Sequence, residues 1–189
     1  RNLMVKIIIG ANSGWALSNF RSELIRKLVD TGFEVVLVAG SDEYSSRLED
    51  LGCRYVPLNI DIIGTNIYKD FLVLLQFCYI FLKEQPDFFL GFTIKPNIYG
   101  SIAARLCGVF TINNINGLGS IFHRENWLTK FAINLYRIAL KKSCKVFFQN
   151  NDDRLLFLKK RIVTPGITDL LPGSGVDLKR FSYTEMPQH

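Results

Sequence analysis

Apolar and polar positions along the chain alternate between two periods. Residues 5–10 (VKIIIG) form a continuous β-branched run closed by glycine, the pattern of a strand buried on both faces. The stretch 19–32 (NFRSELIRKLVDTG) then places Phe20, Leu24 and Leu28 at spacing four, with Ile25 and Val29 beside them. This predicts an amphipathic helix with Ser18 or Asn19 as N-cap and Gly32 as its stop. The same alternation continues as strand 34–40, helix 42–52, strand 53–58, long helix 68–84 closed by Pro86, strand 87–92 and helix 97–108. Strand 109–115, helix 127–142, strand 145–149, helix 151–161 and a seventh strand within 167–175 complete the series. Strand–helix alternation of this kind predicts one α/β domain: a Rossmann-like parallel sheet with helices on both faces. In such sheets ligands sit outside the carboxyl ends of the strands, so the loops after each strand are where chemistry is sought.

Composition narrows the picture. With 189 residues, 48% of them hydrophobic, and 15 Phe and 7 Tyr, the chain is neither disordered nor of low complexity. A charged fraction of 21% is low for a domain exposed on all sides, which points to apolar surface facing a partner, a membrane or another domain. The net charge of +6 is thinly spread apart from Lys141-Lys142 and Lys159-Lys160-Arg161, both at predicted helix ends, where cations are favoured. No interleaving of aromatics with arginines indicates a nucleic-acid platform, so nucleic acid is not an expected partner. Cys53, Cys78, Cys107 and Cys144 lie far apart, and His123 and His189 are the two histidines; reduced thiols and no metal site are expected. No signal-peptide pattern precedes Val5, and the longest apolar run, 71–82, is shorter than the about 20 residues a bilayer requires.

Several motifs are incomplete. The first loop, GANSGWALSNF, has Gly10 and Gly14 but not G-x-G-x-x-G, and Asp42 after the second strand is a weak ribose-binding acid without those glycines. Tyr79 and Lys83 satisfy Y-x-x-x-K but precede the fourth strand, too early for a short-chain dehydrogenase. There is no D-x-D, no P-loop and no G-x-S-x-G. Asp152-Asp153 opens a helix and reads as capping. Three loops remain unusual: the Gly-bearing turn before the first helix, able to hold an anion on backbone amides; Lys95, Pro96 and Asn97, followed by the small residues Gly100, Ser101, Ala103 and Ala104 that permit close helix–sheet packing; and 116–126 (NGLGSIFHREN), longer than the usual connector.

In their order these segments resemble the N-terminal domain of bacterial group 1 (family 4) glycosyltransferases of GT-B fold. The resemblance runs from about residue 5 to 181 through VKIIIGANSGWALSNFRSELIRKLVDTGFEVVLVAG, YSSRLEDLGCRYVPL, KPNIYGSIAARLCGV, INGLGSIF and PGSGVDLKRF. The last matches the Gly-x-Asp-x-x-x-Phe at the passage between GT-B domains, here Gly175, Asp177 and Phe181. The resemblance implies that residues 1–172 form the acceptor-side domain and 173–189 begin an interdomain linker. The nucleotide-sugar donor would bind a further C-terminal domain, this domain binding no cofactor itself, and the fragment alone would be inactive. It places Ser13 and Gly14 where the backbone approaches the donor diphosphate, and Arg21 in the family's Phe-Arg at the start of the first helix, an acceptor-phosphate position. Lys95, Asn97, Asn116, Gly117 and His123 complete the implied acceptor side; many members carry His or Asp where this chain has Asn116-Gly117. Members of this type retain anomeric configuration without a protein base or a metal. The likeness is nearest to enzymes extending polyprenyl-diphosphate-linked saccharides for O-antigen, capsule or glycan assembly. That implies a cytoplasmic protein, peripheral at the inner face of an anionic membrane, with Phe122, Trp127 and Lys130 in contact with lipid. A non-catalytic nucleotide- or phosphate-binding Rossmann-like module and a GT-B epimerase half are the alternatives.

Overall fold

The computed structural model describes residues 4–62, 64, 66–117, 127–175 and 183. Seven strands appear in chain order: β1 (Lys6–Gly10), β2 (Glu34–Ala39), β3 (Arg54–Pro57), β4 (Phe88–Phe92), β5 (Phe110–Ile115), β6 (Lys145–Phe148) and β7 (Thr168–Leu170). All neighbours are parallel, in the order β3-β2-β1-β4-β5-β6-β7. The helices are α1 (Gly14–Phe20), α2 (Ser22–Asp30), α3 (Ser45–Glu49), α4 (Ile67–Glu84), α5 (Ser101–Leu106), α6 (Trp127–Leu140) and α7 (Asn151–Lys159), with a π-helical turn at Pro96–Gly100 leading into α5.

Period-two alternation divides the core. Ile7, Ile9, Val35, Leu37 and Ala39 pack on one face against Leu17, Ile25 and Leu48 of α1, α2 and α3. Ile8, Val36, Val38 and Phe89 pack on the other against Val73, Phe77 and Phe81 of α4 and Ala103 and Ala104 of α5. Farther along the sheet, Ile115, Val146 and Phe148 meet Ile133 and Tyr136 of α6 and Phe157 of α7. This is the expected parallel sheet with helices on both faces.

Local differences from the sequence reading have physical causes. The first helix starts at Gly14, with Ser13 rather than Ser18 or Asn19 as N-cap, because the Ser13 hydroxyl accepts from the Ala16 amide at 3.2 Å. It then breaks at Arg21 (φ −128°, ψ −2°), which resets the buried face to Ile25, leaving Phe20 and Leu24 exposed. The second predicted helix contracts to Ser45–Glu49, since Asp42 is engaged at the N-terminus of α1. Asn150, not the aspartates, caps α7; its carbonyl oxygen accepts from the Asp153 amide at 2.8 Å, and Asp152 and Asp153 supply negative charge to the first turn. The apolar α4 is only half a core helix: Val73, Phe77, Ile80 and Phe81 are buried, whereas Tyr68, Phe71, Leu72, Leu75, Tyr79 and Leu82 form an exposed stripe. Tyr79 of the Y-x-x-x-K match therefore lies on the outside.

The small residues at the π-turn have a specific reason. A Cβ on Gly100 would lie 2.4 Å from Phe89 Cζ, and one on Gly10 2.7 Å from Phe89 Cε2. Two glycines thus admit the Phe89 ring, which also meets Phe77 and Phe81 edge-on at 5.5 and 5.3 Å. Gly100→Ala is expected to destabilise by about 1–3 kcal/mol through overpacking. Phe89→Leu in the same chain should return part of that loss, a non-additivity measured by urea denaturation of the two single variants and the double. Strict additivity would place the strain elsewhere.

Candidate functional site

The strand order reverses between β1 and β4: the chain winds outward through β2 and β3, then returns to the far side of β1. The crevice outside the carboxyl ends of these two strands is the topological switch point. Asn12 leaves β1 there and Thr93 leaves β4, and the Asn12 amide donates to Thr93 Oγ1 at 3.0 Å. Thr93 sits at φ +63°, a left-handed conformation that a β-branched residue adopts only under constraint. Asn12 Oδ1 and, at the end of β5, Asn114 Oδ1 are buried without a hydrogen-bond partner among the described residues. Each such group costs about 1–3 kcal/mol, so both stand ready to accept from a hydroxyl or amide of a ligand.

Neither Asn12 nor Thr93 was singled out in the sequence. The available signal was their position after the first and fourth apolar runs, which acquires meaning only once the strand order is known.

Beneath the crevice lies a closed amide network. Asn113 Nδ2 donates to Asn97 Oδ1 and Ser101 Oγ, both at 2.8 Å, and the Ser143 hydroxyl donates to Asn113 Oδ1 at 2.7 Å. Asn97 Nδ2 donates to the Asn114 carbonyl at 2.9 Å. Gly91 makes room for it, as a Cβ there would stand 2.6 Å from Asn97 Oδ1. Asn97 was expected to hold acceptor; its side-chain oxygen and nitrogen are both engaged within the chain, where they pin the π-turn.

Lys95 likewise has an internal partner. Its ammonium lies 2.6 Å from Asp70 Oδ1, and the Tyr99 hydroxyl donates to Asp70 Oδ2 at 2.9 Å. Burial, and then the Asp70 charge and hydrogen bond, push the Tyr99 hydroxyl well above its ordinary pKa.

Arg21 differs from Lys95. It is 6% exposed, and its guanidinium carbon lies 4.4 Å from the Phe92 ring centre. Nη1 donates to the Phe20 carbonyl and Nη2 to Asn116 Oδ1, both at 3.0 Å. Among the described residues no carboxylate pairs with it. Burial lowers its pKa to about 10. Gln149 Nε2 donates to the same Asn116 oxygen at 3.3 Å and to Ser174 Oγ at 2.9 Å, joining the ends of β5 and β6 to the segment after β7.

Two cavities open at this edge. Asn12, Thr93, Asn97, Asn116 and Gly117, with Ile94, Ile115 and Tyr136, line an open cleft of about 360 Å3, so three of the sequence-predicted residues meet there. A more enclosed, largely apolar slot of about 150 Å3 runs between the N-terminal ends of α4 and α6 and includes Lys95 and Trp127. Lys130 is exposed on α6; Phe122 and His123 lie outside the described residues.

At the start of α1 the expected free amide donors are already taken. The Gly14 amide donates to the Gly40 carbonyl at 3.0 Å and the Trp15 amide to Asp42 Oδ2 at 2.8 Å. A Cβ on Gly14 would lie 2.7 Å from Asp42 Oδ1, so the glycine admits this carboxylate to the helix end. An incoming phosphate would compete with Asp42 for those amides.

The fold is that of GT-B enzymes. Anabaena HepE, crystallised with UDP and glucose, superimposes with a TM-score of 0.66 at 14% identity over 93% of this chain and 46% of that one. A UDP-GlcNAc 2-epimerase from Methanocaldococcus jannaschii gives 0.62 at 15% identity over 89% of this chain and 45% of its own. Residues 6–150 match the family described as glycosyl transferase 4-like, and the chain belongs to that family. Among characterised relatives it is 28% identical over 183 residues to the N,N'-diacetylbacillosaminyl-diphospho-undecaprenol alpha-1,3-N-acetylgalactosaminyltransferase of Campylobacter jejuni, covering 90% of this chain and 46% of that enzyme. It is 28% identical over 122 residues to the UDP-Gal:alpha-D-GlcNAc-diphosphoundecaprenol alpha-1,3-galactosyltransferase of Escherichia coli, covering 62% of this chain and 30% of that enzyme. The chain thus spans less than half the length of these relatives.

The two buried cations should respond oppositely to removal. Arg21→Met, which deletes a desolvated charge with no anionic partner among the described residues, is expected to leave stability unchanged or raise it by about 1 kcal/mol. Lys95→Met strands the Asp70 carboxylate and should cost about 3 kcal/mol, recovered in part by Asp70→Leu. Chemical denaturation of the variants checks both, and a large loss in Arg21→Met would make that residue structural.

Proposed function

We propose that this chain is the acceptor-side, N-terminal part of a retaining glycosyltransferase that moves a sugar from a nucleotide diphosphate to an acetamido sugar on polyprenyl diphosphate. The observation that carries the reading is Arg21: a buried guanidinium with no carboxylate partner among the described residues, held by Phe92 and Asn116 at the carboxyl edge of the sheet. A diphosphate supplies the missing negative charge in the planar, bidentate geometry that arginine favours. The names of the two enzyme relatives support the acceptor class. Both act on an acetamido sugar carried by undecaprenyl diphosphate, and both form an alpha-1,3 linkage.

In this reading the acceptor hydroxyl attacks the anomeric carbon as the bond to the donor phosphate breaks. The hydroxyl proton passes to the leaving nucleoside diphosphate, which departs from the face where the new bond forms, so configuration is retained. The chain orients the acceptor through Asn12, Asn116 and Gly117 and holds its diphosphate near Arg21. Ser13 and Gly14 face the donor diphosphate across the cleft. His123 and Lys95 belong to the acceptor side of the same reading. A donor domain follows residue 172, with 173–189 starting the linker. The setting is surface polysaccharide or glycan synthesis on the cytoplasmic face of the membrane. Support for peripheral seating comes from the outer stripe of α4, from exposed Trp127 and Lys130 on α6, and from the net charge of +6; the resemblance adds Phe122 to the lipid contacts. No described helix is long and apolar enough to cross a membrane.

The full-length gene product, given UDP-sugars and GlcNAc-diphosphate-lipid, is expected to yield a disaccharide-lipid with an α-linkage by NMR. In that assay Arg21→Met should lower kcat/KM by at least tenfold. Conversion of UDP-GlcNAc to its 2-epimer without transfer would favour an epimerase, the reading to which the fold neighbours alone lend support. Flotation with vesicles containing phosphatidylglycerol tests the membrane surface. Binding should fall when Leu75 and Tyr79 are replaced by serine and when Lys130 becomes glutamate, and wild-type protein remaining unbound would refute it.

A further inference from the structure

The slot between α4 and α6 adjoins the cleft at the ends of β1, β4 and β5. Asn12 and Ile94 line both. The slot is walled by Ile98, Leu128, Phe131, Ala132 and Leu135, and Trp127, 73% exposed, also lines it. Its polar lining is the Lys95–Asp70 pair, Tyr99 and, at the junction, Asn12, whose side-chain oxygen has no partner among the described residues. A cavity lined mainly by apolar side chains with a few polar groups among them fits an amphiphile whose head group joins its hydrocarbon directly. Neither a free sugar nor a nucleotide fills such a shape, because each would leave its polar groups unpaired against leucine and phenylalanine.

We infer that this slot holds the first isoprene units of the lipid-linked acceptor. The inference rests on the proposed acceptor and adds a site to it. In an acceptor with one sugar, only that ring and the diphosphate separate the reacting hydroxyl from the first isoprene. When the sugar occupies the cleft, the hydrocarbon therefore begins at the cleft's own edge, where the slot starts. At the junction Asn12 Oδ1 accepts from a sugar hydroxyl, and the diphosphate extends from Arg21 toward the slot. The remaining isoprenes pass Trp127 toward Ile67 and Phe71, exposed at the N-terminal end of the α4 stripe. The slot thus guides the lipid from the membrane-facing surface into the cleft.

Trp127 provides the readout, since the chain has two tryptophans and Trp15→Phe leaves it alone. Titrating that protein with farnesyl diphosphate is expected to give a saturable blue shift of the Trp127 emission, and inorganic diphosphate should give none. Ala132→Phe, which fills the slot, should weaken farnesyl diphosphate binding at least tenfold. Leu128→Ser serves the same purpose if the larger residue disturbs folding by circular dichroism. The Leu75→Ser, Tyr79→Ser variant on the outer stripe should titrate as wild type, separating the slot from general surface adsorption. An unsaturable response, or equal affinity in Ala132→Phe and Leu128→Ser, would overturn the inference.

The two proposals can fail separately. In the full-length gene product, lengthening the acceptor lipid from a phenyl group to farnesyl should lower KM in the wild type but not in Ala132→Phe, with kcat alike. Transfer with equal KM for both acceptors overturns the slot and leaves the enzyme activity standing. Absence of transfer with every acceptor overturns the activity, and the fluorescence titration then decides the slot by itself.

Discussion

The hydrogen bond from Asn113 to Asn97 organises the carboxyl edge of the sheet. It joins a core strand to the π-turn that follows β4, and the Asn97 amide group reaches back to the Asn114 carbonyl. With both ends of that side chain fixed, the segment from Thr93 to Gly100 has little freedom. Thr93 is held in its left-handed conformation and meets the Asn12 amide, Lys95 is directed toward Asp70, Ile94 borders both cleft and slot, and Ile98 lines the slot. A low-dielectric surround strengthens such a network when it is complete and penalises it when one member is lost. Here it is closed through Ser101 and Ser143, so its rigidity is transmitted to the residues above it.

Two buried cations at one edge have opposite energetics. Lys95 is compensated by Asp70, and the pair is an element of architecture that also borders a cavity. Arg21 has carbonyl, amide and ring contacts that orient it, but no described charge that offsets its desolvation. Structures tolerate such a group where a ligand completes it, and surplus stability elsewhere in the sheet makes the imbalance bearable. The unsatisfied oxygens of Asn12 and Asn114 follow the same logic. Together they supply an unpaired positive charge and unused acceptors, the complement of a sugar diphosphate.

How far the fold was legible depended on the range of the forces involved. Strand and helix periods are local, so all seven strands and the main helices were visible as alternating runs. The reversal at β1 and β4 is a property of the assembled sheet, and Asn12 and Thr93 became site residues only with it. Ser13 was missed as the N-cap because the helix it starts depends on Asp42 and Gly40, contributed from beyond another strand. The α4 run looked uniformly apolar, and nothing local distinguishes the face that meets Phe89 from the one that meets solvent. Arg21, Asn116 and Gly117 were singled out through a resemblance of motifs; the bond of Arg21 to Asn116 and the place of Asn116 and Gly117 in one cleft are tertiary facts. Lys95 and Asn97 follow β4 at this edge, and their engagement with Asp70 and Asn113 could not be read from spacing.

The arrangement of surfaces follows from the same topology. Right-handed crossovers place α4, α5 and α6 on one face of the sheet, so the first turns of α4 and α6 flank the switch point. Apolar residues in those turns cannot all face the sheet, because helix N-termini overhang the ends of the strands they follow. Ile67, Trp127 and Phe131 are left beside a polar crevice rather than beneath it. In a protein handling only water-soluble ligands, such exposure would be a liability for aggregation. Under the proposed acceptor reading, that exposure, beside Arg21 and the outer stripe of α4, is what lets a single edge of the sheet accommodate both the charged head and the hydrocarbon of one molecule.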